Sequence, residues 1–110
     1  MTGPRVTAEF WVSAYLRRLA LVDIPAFVTA RGDATAGAVL VKQAPLDGTA
    51  SLWQRSFNAD GARAWVELTR GAEADVDAAV TRQRGFDPDI WVIEVEDRAG
   101  RHLLDDPSLS

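Results

Sequence analysis

The stretch AVLVKQAPLDGTASLWQRSFNADGARAWVELT, residues 38–69, decides the fold. Val39, Leu40 and Val41 stand in succession, the mark of a strand covered on both faces. Pro45-Leu46-Asp47-Gly48 then makes a turn, with Asp-Gly suited to a hairpin because tight hairpin turns need positive φ. Residues Thr49–Phe57 therefore return antiparallel to 38–43. A second Asp-Gly lies in 58–62 and predicts another turn. Beyond it Ala64, Val66 and Leu68 alternate with Arg63, Trp65 and Glu67, the period-two pattern of a strand. Strands linked in this way form a meander.

Helical periodicity flanks this run. Residues 7–22 carry an apolar stripe of Trp11, Tyr15, Leu19 and Val22 opposite Glu9, Ser13 and Arg17. Thr7 is placed as N-cap, and Glu9 near the start suits the helix dipole. Pro25 stops the helix and opens a short strand over 26–31. Downstream, 72–84 reads as a second helix with a thin apolar face of Val76, Ala79 and Val80. It is expected to cover the sheet without anchoring it, with Gly85 as its left-handed C-terminal residue. Ile90 to Glu96 is the strongest strand, 101–104 a candidate short return strand, and 105–110 a frayed tail. Strands clustered between helices predict an α+β domain. It has a mostly antiparallel sheet of about five strands in the order α-β-β-β-β-α-β(β) and spans 1–110 as one unit.

Composition narrows the function classes. The 110 residues are 47% apolar and 25% charged, an ordinary globular balance. Cysteine is absent, which excludes disulfides, cysteine-ligated zinc and a covalent cysteine mechanism. No cofactor is implied. Twelve basic residues against 16 acidic ones give net charge −4, with Lys42 the single lysine. Nucleic acids and anionic membranes attract cation density, so neither is expected as a partner. The first apolar run is broken by Ser13, Arg17 and Arg18, unlike a signal peptide, and the expected location is cytoplasmic.

Few residues carry chemistry. His102 is the only histidine; no Gly-x-Ser-x-Gly elbow accompanies it, so it reads as a solvated or strand-edge side chain. Asp89, Glu94 and Glu96 belong to an acidic cluster along the last long strand, and the latter two share a face. Carboxylates so arranged can hold a hard divalent cation. Pro88-Asp89 with Glu94-x-Glu96 is similar to the Pro-Asp…Glu-x-Lys pattern of metal-dependent nucleases. Here Glu96 stands where that pattern has lysine, and Lys42 or His102 would have to assist. The plainer reading is a solvated polar face. Arg31-Gly32-Asp33 spells an adhesion tripeptide, but its glycine is better read as a turn residue. An anion held by Arg31, Lys42 and Arg84 has no motif behind it.

Tryptophans are the more informative signal. Trp11 and Trp91 lie on apolar sides and read as core. Trp53, Arg55 and Phe57 with Arg63 and Trp65 instead mix aromatics with arginine, the composition of an interface hot spot. The alternative is that a helix covers this face. The first expectation is thus a non-enzymatic module that binds a protein partner or itself, including as a homo-oligomer. The second is a small metal-assisted hydrolase or nuclease.

Three segments together carry a resemblance. They are Arg31-Gly32-Asp33 with 37–42, Leu46-Asp47-Gly48-Thr49-Ala50, and 86–98 with Gly100-Arg101-His102. With the Trp11 helix and its Arg17-Arg18 pair, the chain resembles the small proteobacterial proteins of domain-of-unknown-function family 1491. The resemblance implies a bacterial, stand-alone domain of this size and brings no catalytic residue set.

Overall fold

The computed structural model describes residues 6–57 and 63–109, with the side chains at 56, 57 and 63 excepted. Helix α1 spans Ala8–Ala20, and strand β1 Ala26–Ala30. Strands β2 (Val39–Ala44), β3 (Thr49–Phe57) and β4 (Arg63–Ala72) follow. Helix α2 (Glu73–Phe86), strand β5 (Trp91–Glu96) and a short 3-10 turn at Pro107–Leu109 complete the chain. The predicted turn at 58–62 lies outside the described residues.

The five strands form one mixed, mostly antiparallel sheet in the order β1-β5-β2-β3-β4. The meander β2-β3-β4 is antiparallel throughout. Strand β5 inserts between β1 and β2, antiparallel to the first and parallel to the second. Central placement explains the unbroken apolar runs in β2 and β5, since both their faces are covered. Alternation then sorts the side chains. Val41, Trp91, Ile93 and Val95 meet Trp11, Val12, Tyr15 and Leu19 of α1 on one face. Leu40, Leu52 and Val92 meet Val76 of α2 on the other.

The two helices contribute unequally. Four residues of α1 are buried, against Val76 alone in α2. At roughly 1.5–3 kcal/mol per fully buried large apolar side chain, α1 is the anchoring layer. Thr7 caps α1 as expected, its Oγ1 accepting from the Phe10 N–H at 3.1 Å. The loop after β1 caps it as well: Ala8 and Glu9 N–H groups donate to the Thr35 and Ala34 carbonyls. That loop is clamped to β5. The Asp33 N–H donates to the Asp89 carbonyl at 3.0 Å, and the Trp91 indole N–H to the Asp33 carbonyl at 2.8 Å. Gly32 serves close approach rather than turn geometry. A Cβ there would collide with the Asp89 carbonyl and lie 2.6 Å from Trp91 Cδ1, while its φ is not positive.

Several local expectations are corrected. Gly85 is not a left-handed cap; α2 continues to Phe86, and the Asp87 N–H closes it on the Gln83 carbonyl. Residues 101–104 form no strand. Leu103 sits at φ 58°, and the Leu104 N–H donates to His102 Nδ1 at 3.0 Å instead of to a neighbouring strand. The tail does not fray up to Leu109, because that side chain enters the α1 core and its carbonyl accepts from Trp11 Nε1 at 2.9 Å.

Candidate functional site

Three places gather the chemistry-bearing residues. The first is the aromatic face expected as an interface. Trp53, Arg55 and Trp65 lie on the α1 side of β3 and β4, where Arg55 pairs in register with Trp65. Trp65 packs on Trp11 with ring centroids 5.4 Å apart. The Arg55 guanidinium lies 5.2 Å from the Trp11 ring and 5.3 Å from that of Trp65, and donates to the Leu109 carbonyl. All three residues are half-buried, so α1 and the C-terminal turn cover much of this face. Phe57 and Arg63 are register partners, but their side chains lie outside those described.

The second place surrounds Lys42 on the α2 side. Its side chain is 6% exposed, and its ammonium lies 2.7 Å from Glu73, 2.7 Å from Asp77 and 3.1 Å from Glu94. Register sets the Glu94 contact, since Lys42 and Glu94 face each other on parallel neighbours. The first turns of α2 deliver the other two carboxylates. Burial alone would favour the neutral amine; the hydrogen bonds to Asp77, Glu73 and Glu94 outweigh it and raise the ammonium's pKa. Lys42 thus occupies the position beside Glu94 that a cation would need. Asp89 is elsewhere, its carbonyl engaged by the loop at Asp33, and no metal-holding group of three or more His, Asp or Glu occurs among the described residues.

The third place is a polar cleft of about 510 Å³ on the α1 side of the sheet, at the end where β2 stops and β3 begins. Gln43, Ser51, Trp53 and Arg70 line it from the strands, and Arg98 and His102 from the chain after β5. The Gln43 side-chain amide fixes that crossing by donating to the Asp97 carbonyl at 2.9 Å. His102 is half-buried against Trp53, with ring centroids 4.6 Å apart. Burial holds its imidazole below the usual histidine range, against the opposing pull of Asp105 and Glu67.

The remaining expected anion ligands are otherwise engaged. Arg31 pairs with Glu9 at 2.7 Å and lies over Trp91, while Arg84 donates to backbone carbonyls of Arg31, Pro88 and Ile90. Sequence reasoning missed the Lys42 cage and the cleft. Period two put Gln43, Ser51 and Trp53 on common faces, but the third wall comes from a segment read as a strand.

No curated protein matches the chain. Solved structures do. A crystal structure of a DUF1491 family protein from Caulobacter crescentus CB15 is 45% identical, covering 94% of this chain and 98% of that one, with a TM-score of 0.85. An NMR structure of a DUF1491 family protein from the same organism is 45% identical, with coverage of 96% and 97% and a TM-score of 0.82. The solution structure of protein Atu0922 from A. tumefaciens is 29% identical, covering 84% and 86%, with a TM-score of 0.72. The profile described as protein of unknown function (DUF1491) matches residues 6–105, and the chain therefore belongs to the DUF1491 family.

Proposed function

We propose that the chain is a non-enzymatic interaction module that pairs with a second copy of itself through the outer edge of β1. One observation carries this reading. β1 is an edge strand of sequence AFVTA, without a charged residue, and it exposes Phe27 by 50% and Val28 by 39%. An edge strand presents unpaired N–H and C=O groups, and proteins blunt such edges with charge, proline or a bulge. The opposite edge, β4, carries Arg63, Glu67 and Arg70. On β1 the protection is a register break between Val28 and Ala30, which leaves 26–28 regular.

Antiparallel pairing about Phe27 would be self-complementary, as a two-fold dimer requires. It would place Ala26 of each copy opposite Val28 of the other, within the regular part of the strand. The aromatic face expected from sequence contributes less in this reading, because Trp53, Arg55 and Trp65 already pack within the chain. No observation favours the metal-assisted hydrolase over it.

Sedimentation velocity across a concentration series tests the reading. The expected result is a reversible dimer that Phe27→Lys and Val28→Lys each convert to monomer with unchanged circular dichroism. A monomer persisting to millimolar concentration, or a dimer indifferent to both substitutions, overturns it.

A further inference from the structure

The cleft between Ser51 and His102 has a polarity that its residue types alone do not reveal. Ser51 is buried, and its Oγ accepts from the Trp53 indole N–H at 2.9 Å. With that lone pair engaged, the hydroxyl hydrogen remains to be donated. His102 is committed in the same sense. Its Nδ1 accepts from the Leu104 N–H, so the neutral ring carries its hydrogen on Nε2. Depression of its pKa by burial keeps this neutral form dominant near pH 7. Trp53 thus stands between two side chains that each already accept a hydrogen bond from within the chain.

Charge follows the same direction. Arg98 lines the cleft and has no partner among the described residues. Arg70 also lines it but is held by Glu67 at 2.6 Å. Asp47, the acid on the rim, keeps its charge, and one of its carboxylate oxygens accepts from the Thr49 N–H and hydroxyl at 2.9 and 2.6 Å. Among the described residues, the donors left for a ligand in the cleft are a hydroxyl hydrogen, an imidazole N–H and the Arg98 guanidinium, beside an indole wall.

We propose that this cleft binds the phosphate group of a small phosphorylated metabolite. A phosphate monoester has three terminal oxygens, so Ser51, His102 and Arg98 can each serve one, and charge-assisted bonds from arginine are the strongest of the set. A planar carboxylate has two oxygens, so it cannot give each of the three donors an oxygen of its own. The site is separate from the β1 edge, so it stands or falls independently of self-association.

Titration of ¹⁵N-labelled protein with inorganic phosphate and with phenyl phosphate, at constant ionic strength, tests this. Saturable shifts are expected at Ser51, Arg98 and His102, with phenyl phosphate the tighter of the two through contact with Trp53. Arg98→Gln and Ser51→Ala should each weaken binding about tenfold, the scale of one charge-assisted hydrogen bond. Arg98 is exposed, so that variant keeps its fold. Absence of saturation, equal affinity for acetate, or unchanged affinity in both variants overturns the proposal.

Discussion

The Tyr15 hydroxyl donates to the His102 carbonyl at 2.7 Å, tying the middle of the first helix to a segment 87 residues downstream. Tyr15 has no exposed surface, and burial pushes its phenol far above the usual range, so it acts as a permanent donor. It holds the irregular chain after β5 in place and thereby shapes the cleft beside Trp53.

Tyr15→Phe removes this donor and leaves a carbonyl unpaired beside the core. A loss of about 1–2 kcal/mol is expected from urea denaturation, the usual scale for an orphaned buried acceptor. The amide shifts of 101–104 should move more than those of β2. An unchanged midpoint would show that the bond contributes nothing net.

His102 predicts a pH dependence of definite sign. Its folded pKa lies below the unfolded value of about 6.5, so the unfolded chain takes up the proton first. The stability contribution is full above the unfolded pKa and is lost as pH falls through the folded one. Protonation of Nδ1 also breaks the bond from the Leu104 N–H. Denaturation between pH 5 and 8 should show this slope, and His102→Asn, whose side-chain oxygen can accept from Leu104, should flatten it.

Lys42→Met keeps the buried stem but leaves Glu73, Asp77 and Glu94 facing one another without their cation. Removing one member of a buried ionic group costs 3–5 kcal/mol in closed sites; these carboxylates are partly solvated, so roughly 2–3 kcal/mol is expected. Added salt should recover part of the deficit by screening the repulsion. A deficit independent of salt would point to packing alone.

Trp65→Ala tests whether this side chain serves the fold or a partner. Its contacts with Trp11 and Arg55 place it in the packing of α1 on the sheet. A loss of about 2–4 kcal/mol is expected, the range for truncating a large aromatic that is only partly sealed. Full stability with a lost binding activity would return Trp65 to the role of an interface residue.

Period and punctuation in the chain determined the elements, and local physics explains why. Thr7, Pro25, Asp47-Gly48 and the alternation in β4 act over a few residues, through backbone capping, ring constraint, turn dihedrals and side-chain facing. The unbroken apolar run of β2 also told that both its faces would be covered. Beyond the turn-linked meander, which strand neighbours which was a tertiary decision. Alternation assigns a residue to a face but names no partner, so the insertion of β5 between β1 and β2 was not legible. The same holds for the candidate sites. Lys42 reads as one lysine in a strand until β5 and α2 bring three carboxylates to it. Ser51 shares a strand face with Trp53, but His102 becomes a neighbour of Trp53 only after the chain crosses back over Gln43 and is pinned by Tyr15 and Trp11. Those pins are single hydrogen bonds made in desolvated surroundings between residues far apart in sequence, and no local periodicity encodes them.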